Sequence, residues 1–244
     1  MIQKTATLKF SKLDSKFKRD CESIIKKNNF CIIKNFLDSK KISLVKKKIF
    51  DKFTKFSANT KLNPSFNSYE HRKIVDKKKI KKDVIEIFNP STDKDIYNLR
   101  KSFKKMIDLR NLLLGLPIKK NSFTHNNEKY FTSNRIMFYK SGNGFLGSHY
   151  DKKAGDYTKQ KFGKYYQILA NITKKGDDYK SGGGTIYLKN KKVLIDDYLD
   201  YGDVLVYNEK LKHGVDKVLS SKINKKKGRI SILVTFYKNY KTSK

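Results

Sequence analysis

Between Tyr130 and Tyr237 the sequence breaks into short strand-like runs. They are Arg135–Tyr139, Phe145–Tyr150, Tyr165–Ile172, Thr185–Leu188, Val193–Ile195, Val204–Tyr207 and Arg229–Tyr237. Turn-forming clusters separate them, among them Ser141-Gly142-Asn143-Gly144, Gly182-Gly183-Gly184 and Tyr201-Gly202-Asp203. Gly, Asn and Asp adopt turn conformations that other residues resist, so this punctuation marks strand ends. Many short strands can hide their apolar faces only by stacking two sheets or closing one on itself. The expectation is a mainly β fold with added helices: a β-sandwich or jelly roll.

The first half reads differently. Leu13, Phe17, Cys21, Ile24 and Ile25 recur at helical spacing, and so do Ile42, Val45, Ile49 and Phe53 behind an N-cap offered by Asp38 and Ser39. Between them Phe30-Cys31-Ile32-Ile33 predicts a strand. Asn59–Lys82 has no period and ends in a basic run, which predicts a solvated loop. Asp95–Leu116 is the longest helical pattern, stopped by Gly115 and Pro117. The expected organisation is one domain over 1–244. In it a helix-rich part (1–125) packs outside a β core (126–244).

Formal charge is +34, which suggests a nucleic-acid partner. Yet only six of the 57 basic residues are Arg, the side chain whose planar fork reads phosphates and bases best. A Lys-, Asn- and Ile-rich, Arg-poor chain matches an AT-biased genome, so nucleic acid is possible but not favoured. The two cysteines, Cys21 and Cys31, are expected to be reduced thiols. No signal-peptide core and no apolar run of membrane-spanning length is present, so a cytoplasmic protein is expected.

Two of the four histidines stand in informative places. His149-Tyr150-Asp151 lies at a strand end, where residues i and i+2 share a face. His213 follows the strand Val204–Tyr207. Two imidazoles and a carboxylate can take one face of an octahedral metal and leave three positions open. Arg229 opens the last strand, and an inward Arg there is costly unless an anion pairs with it. Ser231 shares its face, and Tyr139 lies on the strand before the H-x-D. His71 and His125 sit in irregular segments and are assigned no role. Gly182–Gly184 reads as a β-turn rather than a phosphate loop, because no helix follows. Asp203 reads as a turn residue. Gln167 and Asn171 share one strand face, directed at the site or at backbone.

The ordered set resembles the 2-oxoglutarate/Fe(II) dioxygenase superfamily. It comprises Arg135–Tyr139, His149-x-Asp151, Gly182-Gly183-Gly184-Thr185, Gly202–Tyr207, His213-Gly214-Val215 and Gly228-Arg229-x-Ser231. The resemblance covers under half the chain, from about Asn134 to Tyr237. It implies a double-stranded β-helix with iron(II) held by His149, Asp151 and His213. It also implies 2-oxoglutarate held by Arg229 with Ser231 and Tyr139, O₂ as co-substrate, and ascorbate as a reductant. The implied reaction is hydroxylation of a C–H bond, because Asp151 stands where related halogenases carry a small residue. Arg229 lies sixteen positions after His213, a longer interval than in many members, and Leu219–Lys227 reads as a Lys-rich hairpin. Three substrate classes fit: a small polar metabolite such as an amino acid, a prolyl peptide, or a methylated nucleic acid. The AlkB-type enzymes of the last class carry a second Arg where Thr235 stands here. The segments Lys152–Lys164 and Asn59–Lys82 are expected to cover the site. No membrane partner is expected.

Overall fold

A computed structural model describes residues 6–53, 70–74, 81–82, 84–88, 95, 97–118, 130–151, 158–159, 162–189, 191–220 and 227–238. Among the described residues, three helices accompany thirteen strands in two sheets. The helices are α1 (Ser15–Asn28), α2 (Ser39–Phe53) and α3 (Arg100–Leu114). The first half also supplies β1 (Thr7–Lys9), β2 (Phe30–Lys34), β3 (Glu70–Ile74), β4 (Lys81–Lys82) and β5 (Val84–Phe88). The second half supplies β6 (Tyr130–Lys140), β7 (Phe145–His149), β8 (Gln167–Asn171), β9 (Ser181–Leu188) and β10 (Lys191–Leu194). A 3₁₀ turn (Ile195–Tyr198) then leads to β11 (Val204–Tyr207), β12 (His213–Leu219) and β13 (Gly228–Lys238).

The major sheet runs β1-β2-β11-β8-β13-β6-β5-β3, and the minor sheet runs β10-β9-β12-β7-β4. From β6 onward the chain alternates between them: β6, β8, β11 and β13 lie in the major sheet, β7, β9 and β12 in the minor. This alternation is the double-stranded β-helix. Most of the hairpin expected over Leu219–Lys227, residues 221–226, lies outside the described residues. β12 and β13 belong to different sheets, so the chain crosses between layers there.

Strand periodicity sorts the major sheet into two faces. On β13, Ile230, Ile232 and Val234 join the core under the helices, while Arg229, Ser231, Leu233 and Thr235 point to the other side. β6 divides likewise, with Ile136 and Phe138 toward the helices and Arg135, Met137 and Tyr139 away. β8 turns Ile168 and Ala170 outward against Leu113 and its neighbours, and Gln167, Leu169 and Asn171 inward. Both faces are therefore covered, which explains why the core strands read as near-continuous apolar runs. The helices lie outside the β core, as expected. Phe17, Cys21 and Ile25 of α1, Ile42, Val45 and Ile49 of α2, and Phe103, Met106 and Ile107 of α3 complete that layer. Each such side chain contributes about 1.5–3 kcal/mol on burial.

Local chemistry ends these helices where it should. The Asp14 carboxylate accepts the Phe17 amide at 2.8 Å and caps α1, and Asn29 closes it in a left-handed conformation at φ 66°. α3 starts five residues later than its apolar pattern. Asp95 does not enter the helix; its carboxylate accepts the Leu99 and Arg100 amides at 2.7 and 3.2 Å and so starts it. Gly115, at φ 74°, ends it.

Two expectations are corrected. The segment read as a loop over Asn59–Lys82 contains β3 and β4, and His71 lies in β3. Their sequences alternate poorly because neighbouring strands, not their own apolar period, fix them. Gly182–Gly184 is the start of β9 and not a turn. Asp203 does sit in a turn, but it also ties distant segments together. Its buried carboxylate accepts amides from Asn35 at 2.9 Å and Asp200 at 2.8 Å and pairs with Lys34. Cys21 and Cys31 are free, buried thiols. Among the described residues no helix is long and apolar enough to cross a membrane.

Candidate functional site

A cavity of about 250 Å³ opens between the inner faces of the two sheets. One end is formed by β7 and β12. In their antiparallel register His213 stands directly opposite His149, so both imidazoles emerge on one face. The ring centroids are 4.4 Å apart. Asp151, just past the end of β7, faces both: its Oδ1 is 3.7 Å from His149 Nε2 and its Oδ2 3.7 Å from His213 Nε2. The three donor atoms lie within 4.8 Å of one another. Around a metal with bonds of roughly 2.1 Å, adjacent octahedral donors stand about 3 Å apart, so a small contraction would close the set.

Hydrogen bonding prepares the rings for such a role. His149 Nδ1 lies 2.9 Å from the Gly147 carbonyl oxygen and His213 Nδ1 3.0 Å from that of Leu211. A carbonyl only accepts, so each ring carries its proton on Nδ1 and keeps the Nε2 lone pair for a ligand. Burial, with His149 alongside, holds the His213 imidazole below its ordinary pKa although the Asp151 carboxylate pulls the other way. The neutral form, which a metal requires, is thus favoured. Tyr207 donates its hydroxyl to His213 Nε2 at 3.1 Å, and Tyr165 donates to Asp151 Oδ2 at 3.1 Å. These two phenols satisfy the donor set from the cavity side. Neither tyrosine stood out in the sequence, since Tyr is ordinarily a core residue.

Deeper in the cavity lies Arg229, 2% exposed against 35% for the His149 side chain. The sequence demanded an anion for it, and the fold supplies one from within. Asp196, in the 3₁₀ turn, accepts Nε at 2.7 Å through Oδ2 and Nη2 at 3.2 Å through Oδ1. Nη2 also reaches Asn171 Oδ1 at 3.3 Å, and Nη1 donates to Ser231 Oγ at 3.1 Å. Asp196 accepts two more donors on Oδ2, the Tyr179 hydroxyl at 2.5 Å and the Gly184 amide at 2.7 Å. Burial pushes the Asp196 carboxyl up, but the Arg229 charge and these hydrogen bonds outweigh it and hold it below the usual range. The same pairing raises the Arg229 pKa against its own burial. Tyr139 completes this end, with the guanidinium carbon 5.6 Å from its ring centre. Burial raises the Tyr139 pKa although Arg229 opposes it, so the phenol stays protonated.

Asp196 was missed in the sequence because it follows an apolar run and resembles the turn acids around it. The usable signal was Gly183-Gly184. A Cβ on Gly184 would stand 2.7 Å from Asp196 Oδ1 and 3.0 Å from Arg229 Nη2. The glycines thus cradle an ion pair. Gly184→Ala is expected to cost about 1–3 kcal/mol of unfolding free energy, read as a lowered urea midpoint, because that pair must move to admit the methyl group.

All six residues singled out in the sequence, His149, Asp151, His213, Arg229, Ser231 and Tyr139, come together around this one cavity or against its lining. Gln167 lines it too, and Asn171 accepts a hydrogen bond from Arg229 behind it. Most of Lys152–Lys164 and of Asn59–Lys82 lies outside the described residues, as does His125.

No protein-family model matches the sequence, and no curated protein matches it. Solved structures do match its fold. A prolyl hydroxylase from Trichoplax adhaerens, in complex with a hypoxia-inducible-factor oxygen degradation domain peptide, aligns at TM-score 0.59 and 15% identity over 93% of this chain and 92% of its own. A Pseudomonas putida prolyl-4-hydroxylase aligns at 0.57 and 11% over 91% and 98%. The non-haem α-ketoglutarate-dependent epimerase SnoN from nogalamycin biosynthesis aligns at 0.56 and 10% over 92% and 84%. At such identities the similarity is one of fold, the double-stranded β-helix.

Proposed function

We propose that this chain is an Fe(II)- and 2-oxoglutarate-dependent dioxygenase that hydroxylates a C–H bond of a small polar metabolite such as an amino acid. One observation carries the reading. A cross-strand pair of imidazoles and a carboxylate converge at one end of a cavity whose deep end holds a guanidinium. The fit to iron(II) rests on the donors themselves. Two neutral nitrogens and one carboxylate leave coordination positions open, as a non-haem iron oxygenase requires. All three structures compared above belong, by their descriptions, to prolyl hydroxylases or α-ketoglutarate-dependent enzymes, which supports the same reading.

His149, Asp151 and His213 would hold the metal, with Gly147 and Leu211 carbonyls fixing the rings. Bound iron(II) would let O₂ oxidise 2-oxoglutarate to succinate and CO₂ and the C–H bond to C–OH, one oxygen atom going to each product. Ascorbate would serve as reductant. Arg229 would orient the distal carboxylate of 2-oxoglutarate. Asp196 already takes its Nε and one side of its fork, so Nη1, the Ser231 hydroxyl and the protonated Tyr139 phenol are the groups that face that anion. The Leu169, Met137, Leu233 and Val215 side chains line the space between the two ends and exclude water from it. A cavity of about 250 Å³ is small beside the roughly 300–1,000 Å³ of ordinary ligand pockets, which favours small reactants. The peptide-bound neighbour favours a second reading, a prolyl-hydroxylase-like enzyme whose peptide would lie across the mouth.

Protein reconstituted anaerobically with Fe(II) and then given 2-oxoglutarate and O₂ is expected to form succinate. The rate should rise with a pool of amino acids more than with proline-containing peptides or methylated oligonucleotides. Failure to bind Fe(II) and to consume 2-oxoglutarate under all these conditions would refute the assignment.

A further inference from the structure

The cavity holds a second pair of opposite charges that the iron and 2-oxoglutarate reading leaves unused. Glu86 of β5 is 2% exposed, and both it and Arg135 of β6 line the cavity. In the β5–β6 register Glu86 faces Met137, and Arg135 faces Phe88, so the two are diagonal neighbours on adjacent strands. Diagonal positions are roughly 7–8 Å apart, within reach of both long side chains.

Arg135 belongs to the histidine end. Its Nη2 donates to Thr235 Oγ1 at 3.2 Å, and Thr235 donates to Gln167 Oε1 at 2.8 Å. The single Tyr165 hydroxyl proton is shared between the same Gln167 oxygen, 2.9 Å away, and Asp151 Oδ2, 3.1 Å away. Arg135 is thus tied to Gln167, whose oxygen competes with Asp151 for the Tyr165 hydroxyl. Arg229 lies elsewhere: Arg135 is opposite Leu233, four residues further along β13, or roughly 13 Å at strand rise. The two guanidiniums thus address different parts of whatever fills the cavity.

Apolar side chains would be cheaper to bury than Glu and Arg. Val84, two residues before Glu86, and Met137, directly opposite it, are apolar core. Both charged residues already have partners in the free protein, so a ligand would exchange with those contacts. A cation and an anion on adjacent strands of the cavity that holds the triad suit a ligand that carries both charges close together.

We infer that Glu86 and Arg135 anchor the substrate and that the substrate is a free α-amino acid. Its carboxylate sits on Arg135, its ammonium sits on Glu86, and its side chain extends toward His149, Asp151 and His213. This rests on the oxygenase reading and names the group recognition that reading lacks.

The test pairs each free L-amino acid with its carboxamide and its N-acetyl derivative. Binding is read by calorimetry on protein loaded with Mn(II) and 2-oxoglutarate, and turnover is read with Fe(II) as succinate. An amino acid that binds is expected to do so roughly 10–100-fold more tightly than either derivative, the range of a charged hydrogen bond. Arg135→Gln should abolish the preference for acid over amide, and Arg135→Lys should restore part of it. Glu86→Gln should abolish the preference for the free amine over the N-acetyl form. A thermal melt of each variant separates loss of recognition from loss of fold. Equal affinity for acid and amide, binding of no amino acid, or a preference that survives in folded Arg135→Gln would overturn the inference. Should the wild type bind Mn(II) and consume 2-oxoglutarate but ignore every amino acid, only the substrate class fails. Should it bind neither metal nor 2-oxoglutarate, the oxygenase reading fails and this inference with it.

Discussion

His213→Ala and Asp151→Ala are each expected to abolish divalent metal binding in the micromolar range and, with it, all succinate formation. His213 Nε2 and the Asp151 carboxylate each face the point where the three donors converge, and two remaining donors cannot define one face of an octahedron. The loss should exceed the roughly 10–100-fold that follows removal of a residue that only orients a ligand. Tyr165→Phe supplies that comparison. It deletes the hydroxyl 3.1 Å from Asp151 Oδ2 and leaves the carboxylate in place. Mn(II) titration followed by electron paramagnetic resonance reads the effect without any need for substrate. Metal affinity unchanged in His213→Ala would show that this imidazole is no ligand.

Asp196→Asn should lower unfolding free energy by about 3–5 kcal/mol, the cost of leaving one member of a buried ion pair without its counter-charge. The amide keeps the shape of the carboxylate, so little of that loss is packing. Arg229 would remain 2% exposed with its charge uncompensated. Replacing both partners, Arg229→Met with Asp196→Leu, should recover most of the stability, because neither charge is then stranded. Denaturant unfolding of the three proteins provides the measurement; a loss in Asp196→Asn below 1 kcal/mol would contradict the account. The same pair predicts an acid dependence. The Asp196 carboxyl is depressed in the folded state, whereas the unfolded value is about 3.9. Its contribution is therefore complete above the unfolded value and disappears as pH falls through the folded one. Wild-type stability should drop below about pH 4 more steeply than that of the double variant. The coupling also bears on function. Arg229→Ala alone strands Asp196, so any rise in the 2-oxoglutarate requirement should be compared with the double variant.

Much of this site was legible in order but not in space. His149-x-Asp151 states by its spacing that two donors share a face, since side-chain direction alternates along any extended backbone. The strand pattern from Tyr130, the turns between the strands and the apolar periods of α1 to α3 follow from local preferences and amphipathicity, so they survive without knowledge of partners. A buried strand Arg demands an anion for the same kind of reason: its desolvation cost is intrinsic.

What supplied that anion could not be read locally. Asp196 is thirty-three residues from Arg229 and meets it only because the 3₁₀ turn, on the crossing from β10 of the minor sheet to β11 of the major one, brings its carboxylate to the Arg229 side chain of β13. Strands β3 and β4 were likewise hidden, for their place depends on β5 and β7, not on a period of their own. The amino-acid order alone determined which residues could bear metal and charge, because residue type and alternation are properties of the chain. Which of them meet, and which charges are already neutralised before a ligand arrives, depended on the pairing of distant strands, whose register is a property of the packed sheet.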